Sequence, residues 1–125
     1  MTKFSHSDYT EMCEETFSRI RELAVKKGGE YSGDSDRLAN FRRNAERLGI
    51  DKETVWAVYA AKHWDALMQY IQDERAEFER PRMESIDGRI DDLLVYLLLF
   101  KAMLVEKRRN VKTMPKIVDE DDMTA

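Results

Sequence analysis

Apolar positions along the chain recur at intervals of three and four rather than alternating, which is the spacing of one face of a helix. In the first such stretch, Tyr9, Met12, Cys13, Phe17, Ile20, Leu23 and Ala24 form a single stripe, predicting a helix from Ser7 to Lys27. Ser5 and Asp8 stand at capping-box spacing before it, and Gly28–Gly29 is expected to stop it. GGEYSGDSD then reads as a polar loop. Ser35 or Asp36 would cap a short second helix carrying Leu38, Phe41, Ala45 and Leu48, ended by Gly49.

Asp51 is the natural N-cap of a third helix, predicted from Lys52 to Phe78. Val55, Trp56, Val58, Tyr59, Ala60, Trp64, Leu67, Met68 and Ile71 cover more than one of its faces, so its first half is expected to be buried among neighbours. The second half, QDERAEFER, is far more polar and is expected to project into solvent or against another subunit. Pro81 interrupts the path. A fourth helix is predicted from Ser85 to Arg108, containing SIDGRIDDLLVYLLLF and ending in basic residues that complement its dipole. Residues 110–125, with DEDD and a proline, read as a flexible acidic tail. The expectation is an all-α protein: one compact bundle of about four helices over residues 1–109, and the tail.

Composition narrows what such a bundle can do. The 125-residue chain carries a formal charge of −4, which argues against binding a nucleic-acid polymer through its phosphates. Cys13 is the only cysteine, so neither an intrachain disulfide nor a thiolate zinc site is available. The N-terminus does not resemble a signal peptide, and a cytoplasmic protein is expected. The apolar run Leu93–Phe100 falls short of the roughly 20 residues that cross a bilayer, so no membrane span is expected. An aromatic third helix and a very apolar fourth leave surface to cover, which predicts a homo-oligomer.

Chemistry-bearing residues fall in three places. Asp87 and Asp91 lie one turn apart on one face of the fourth helix, where their repulsion would be relieved by a cation. For Asp87 alone, stabilisation by the macrodipole at a helix start is the first reading. Asp92 lies one turn from Tyr96, at the edge of the core-facing positions, where a carboxylate needs a partner. In AAKHWDAL, Lys62 and His63 are adjacent within the aromatic third helix. A lone histidine there reads first as a satisfied core residue, and with only His6 and His63 a multi-histidine metal site is impossible. KKGGEYSGDSD lacks the order of a phosphate-cradling GxxxxGK[ST] loop. Glu11, Glu14, Glu15 and Glu22 fit the solvated side of the first helix.

Taken in order, KGGEYSG, VYAAKHWDAL and ESIDGRIDDLLVYLLL resemble the nucleotide-modification-associated domain proteins of phages and prophages, over about Glu15 to Leu104. The resemblance implies a small helical phage protein, acting in the cytoplasm of an infected bacterial host, that handles a nucleotide or nucleotide-derived molecule. Carried over by position, its polar residues would be Lys27, Glu30, Tyr31, Lys62, His63, Glu84, Arg89, Asp92 and Tyr96. Lys27, Lys62 and Arg89 would meet phosphate, Tyr31, Trp64 or Tyr96 would stack on a base, and Asp92 or Glu84 would accept from ribose hydroxyls or base amines. Binding of this kind, to sequester an immune signal or deliver a nucleotide for DNA modification, needs no cofactor and no reaction.

A more distant similarity is to the all-α nucleotide pyrophosphohydrolases of the MazG and dimeric dUTPase type. It implies an alternative, Mg²⁺-dependent hydrolysis of a nucleoside triphosphate, with Glu11, Glu15, Asp87 and Asp91 as ligands. The acids here run ExxEE, the reverse of that family's order, and Gly88 and Arg89 stand three before Asp91 and Asp92 where a glutamate is wanted. A third possibility is a structural helical adaptor that uses the charged arm Gln72–Arg80.

Overall fold

The computed structural model describes residues 2–31 and 35–112, the side chains of residues 27–31 excepted. It contains four helices, α1 (His6–Tyr31), α2 (Ala39–Leu48), α3 (Lys52–Arg75) and α4 (Ile86–Lys112), and no strand among the described residues. The all-α architecture is as expected. No helix of the described residues is long and apolar enough to cross a membrane.

Local signals set most helix starts. At α1, the Ser5 N–H donates to Asp8 Oδ2 at 2.9 Å while the Asp8 N–H donates to Ser5 Oγ at 3.0 Å, a reciprocal capping box. Asp51 accepts from the backbone N–H of Thr54 at 3.1 Å and from its hydroxyl at 2.6 Å, fixing the start of α3. Ser85 does the same for α4, its Oγ accepting from the Gly88 N–H at 3.0 Å. Asp36 accepts from the Leu38 N–H at 3.1 Å, so it caps the turn that leads into α2 rather than the helix itself, whose first residue is Ala39.

Three helix ends also differ from expectation. α1 runs on through Gly28 and Gly29 to Tyr31. Glycine costs about 1 kcal/mol against alanine inside a helix, which weakens the ladder but does not break it. It ends a helix where its backbone turns left-handed, as at Gly49, whose φ is 68°. There the Ile50 N–H reaches back to the Ala45 carbonyl at 3.1 Å and the Gly49 N–H to that of Glu46 at 3.4 Å.

α3 ends at Arg75, short of Phe78, because Glu77 adopts a left-handed φ of 52° and the Phe78 N–H closes on the Asp73 carbonyl at 2.9 Å. The chain turns back on itself there, while Gln72 and residues 74–80 stay exposed, as expected of this polar stretch. Asp73 becomes buried, its carboxylate accepting from Gln69 at 2.9 Å, Arg80 at 2.8 and 3.1 Å, and Arg82 at 3.0 Å. α4 in turn continues past Arg108 to Lys112, so the first three residues assigned to the tail are helical. Residues 113–125 lie outside the described part.

The core gathers Ile20, Leu38, Phe41, Ala45, Val55, Val95, Leu99 and Met103 from all four helices, with Phe41 almost wholly enclosed. α3 and α4 are pinned together where Trp56 Nε1 donates to the Tyr96 carbonyl at 2.6 Å and its ring meets that of Phe100 at 4.7 Å. Trp56 is thus a core residue with a satisfied N–H. α1 joins the core only through its C-terminal half: Ile20 is buried and Leu23 and Ala24 pack on the cluster, whereas Tyr9, Met12 and Phe17 of the same stripe are exposed. α3 is also less enclosed than its composition suggests, since Val58 and Trp64 are more than half exposed.

Candidate functional site

A cleft of about 500 Å³ is bounded by α2, α3, α4 and the segment entering α4. Its apolar floor is Phe41, Val95 and Leu99. α2 contributes Asn40, Arg43 and Asn44, with Arg37 just before it, at spacings of three, three and one that hold them on the helix face beside Phe41. α3 presents Tyr59, Lys62 and His63, and α4 presents Asp92 and Tyr96; Glu84 stands at the α4 entrance.

Rings and amides in the cleft are held by one another. Phe41 lies 6.1 Å from Tyr59 and, edge-on, 6.4 Å from Tyr96; the Tyr96 ring is 5.3 Å from that of His63. Asn44 Nδ2 donates to the Asn40 carbonyl at 3.0 Å and to the Tyr59 hydroxyl at 2.9 Å. Since Tyr59 accepts that bond, its own proton is directed elsewhere. Arg37 is half-buried and donates from Nη2 to the Ala24 carbonyl at 3.2 Å, with burial drawing its pKa below the usual arginine value. Arg42, one residue beyond Phe41, ion-pairs with Asp36 at 2.9 Å and with Glu106, tying α2 to α4 behind the cleft.

His63 is buried, and Nη1 of Arg89 approaches its Nδ1 at 3.4 Å while Arg89 Nε pairs with Glu84 at 3.3 Å. A guanidinium can only donate, so Nδ1 carries the lone pair and Nε2 the proton. Burial lowers the His63 pKa; Asp92 opposes this, and Lys62 and Arg89 add to it. The imidazole is accordingly neutral at neutral pH. A neutral ring against Tyr96 presents a polarisable wall to the cleft, while positive charge comes from Arg37, Arg43 and Lys62.

Of the residues singled out in sequence, Lys62, His63, Glu84, Asp92 and Tyr96 line the cleft, and Arg89 lies against His63. The side chains of Lys27, Glu30 and Tyr31 lie outside the described residues. Their backbone forms the last turns of α1, which follow Ala24, the residue that anchors Arg37. Trp64 is exposed and does not line the cleft.

The four acids of the hydrolase alternative are placed differently. Asp91 is ion-paired with Arg19 at 3.2 Å, Asp87 is exposed in the first turn of α4, and Glu11 and Glu15 are exposed on the outer half of α1. Among the described residues, no three histidine, cysteine, aspartate or glutamate side chains converge as metal ligands.

Sequence reasoning missed Arg37, Asn40, Arg43 and Asn44, and read Tyr59 as a core residue. The signal was present: in RLANFRRN the cations and amides recur at helical spacing on one side of a short helix whose apolar residues alone had drawn notice. The assembled cleft offers an apolar floor, two tyrosines and a neutral imidazole, a cationic rim, two amides and two carboxylates. Such a set can hold a flat heteroaromatic group bearing an anionic substituent. No protein-family model matches the chain, and neither a curated protein nor a solved structure matches it.

Proposed function

We propose that this cleft binds a phosphorylated nucleoside or a nucleotide-derived signal, without a reaction of its own. The observation that carries the reading is the convergence of Arg37, Arg43 and Lys62 with Tyr59, Tyr96 and His63 around one cleft of about 500 Å³, a volume suited to a mononucleotide-sized ligand. The guanidinium forks and the lysine meet phosphate oxygens. A base lies against Tyr96 and His63 over the Phe41 floor. Asp92 and Glu84 accept from ribose hydroxyls or exocyclic amines, and the amides of α2 choose between bases by which edge they meet.

Sequestration of a nucleotide signal, or delivery of a nucleotide to a modifying enzyme, is the role that fits a binding cleft of this composition. A phage origin and action in the cytoplasm of an infected cell belong to the same reading. Calorimetric titration of the full chain with a panel of nucleoside monophosphates, nucleoside triphosphates and cyclic nucleotides tests it. Saturable heat from at least one, with the affinity weakened about tenfold by Lys62→Ala, is expected; a panel without heat overturns the proposal.

A further inference from the structure

Two apolar surfaces of the described chain lie open, and they match each other. The first is the outer half of α1, where Tyr9, Met12 and Phe17 are exposed on one stripe. The second is the outer face of α4, where Ile90, Leu97 and Leu104, seven apart and therefore aligned, are exposed. His6–Phe17 spans about 17 Å of helix and Ile90–Leu104 about 21 Å, so either can cover the other.

Their charges are complementary. From Phe4 to Ser18 the chain carries Asp8, Glu11, Glu14 and Glu15 and neither lysine nor arginine. The outer face of α4 is bordered toward its C-terminal end by Lys101, Lys107 and Arg108, all exposed, whereas its one acid in that half, Glu106, is engaged by Arg42.

The two surfaces do not cover each other within one molecule. α1 is a single unbroken helix, tied to the start of α4 by the Arg19–Asp91 ion pair, and Tyr9, Met12 and Phe17 ahead of that pair stay exposed, as do Ile90, Leu97 and Leu104. A helical arm of this length is marginal in water without something to pack on. It is nonetheless started by a complete capping box.

We infer that two copies of the chain pair about a two-fold axis, the acidic outer half of α1 of each lying on the Ile90–Leu104 face of the other's α4. The exchange is isologous and closes on itself, burying both open stripes at once and setting four carboxylates beside a basic rim. It does not depend on what the cleft binds.

Light scattering of the full chain during gel filtration at micromolar concentration should give twice the 14.7 kDa chain mass. Phe17→Glu and Leu97→Glu should each give the monomer mass. Both positions are exposed, so the helical circular dichroism of the variants should stay at the wild-type level. The arrangement is read from disulfide trapping with the native Cys13. Ile90→Cys, Leu97→Cys or Leu104→Cys should yield an oxidised dimer in at least one case, and the wild-type chain should not.

A monomeric wild type, which includes the case in which another segment of the chain or another protein covers α4, overturns the inference. So does a dimer that survives both glutamate substitutions, a Cys13–Cys13 crosslink in the wild type, or no crosslink from any of the three cysteine variants.

Discussion

Arg89 Nη1 stands 3.4 Å from Nδ1 of His63, a cation placed against the lone pair of a buried imidazole. The contact is tolerable only while His63 is neutral, because protonation would turn the acceptor into a second donor beside a permanent positive charge.

That relationship sets a pH dependence. The His63 pKa lies below its ordinary value of 6.5, chiefly through burial. Between 6.5 and the lowered value the unfolded chain holds a proton that the folded chain does not, so the His63 contribution is present above 6.5, is lost as pH falls through that window, and levels off below it. Thermal melts of wild type and His63→Gln from about pH 8 to about pH 5 should converge as pH falls. A constant gap between the two curves would show that His63 does not titrate as argued.

Cleft variants should separate charge from packing. Removing one charge-assisted contact to phosphate is expected to weaken nucleotide affinity about tenfold in Arg37→Ala or Lys62→Ala, with little change in stability for the exposed Lys62. Phe41→Ala, at an almost fully enclosed position, should instead cost about 4 kcal/mol in urea unfolding. Calorimetry and chemical denaturation of the same preparations distinguish the two classes.

The turn after α3 depends on Asp73. Its carboxyl is held below the ordinary 3.8 mainly by Arg80, with Gln69 and Arg82 contributing. The stability it supplies is therefore present above 3.8 and is lost as pH falls through the lowered value. Asp73→Ala should release the 76–85 segment, and limited trypsin digestion should cut faster after Arg82, next to the fully exposed Met83, than in wild type. Equal cutting rates would assign no restraint to this cluster.

Two helix ends carry left-handed residues of opposite suitability. At Gly49, with φ 68° and open space where a methyl group would sit, Gly49→Ala should cost about 1 kcal/mol from backbone strain alone. Glu77 occupies the same conformation with a side chain, so Glu77→Gly should stabilise by about 1 kcal/mol. Urea midpoints for the pair should move in opposite directions.

Capping was legible in the sequence because it is settled within one turn. Ser5 with Asp8, Asp51 with Thr54, Ser85 with Gly88 and the glycine at position 49 all act across three or four residues, and each is where its local pattern put it. Helix ends were less legible when tertiary contacts outweighed local preference. Asp73 holds Arg80 and Arg82 where α3 stops, while α1 runs on through Gly28 and Gly29.

The candidate site divides along the same line. Asp92 stood out at the edge of an apolar run, whereas Lys62, His63 and Tyr96 were marked as site residues by the family resemblance, since a lone histidine on such a helix reads first as a core residue. Arg37, Asn40, Arg43 and Asn44 are ordinary on a short polar helix face, and they matter only because α2 sets that face opposite α3 and α4 across the cleft. Likewise, the stripe from Tyr9 to Ala24 fixed α1 as an amphipathic helix, but periodicity does not say how much of a stripe will be covered. The sequence alone determined four helices, the starts of α1, α3 and α4, and an apolar face for each. Packing decided which faces were used, because covering a stripe requires a partner surface brought from elsewhere in the chain, and the fold supplies one for Ile20 and Leu23 but not for Tyr9 or Phe17.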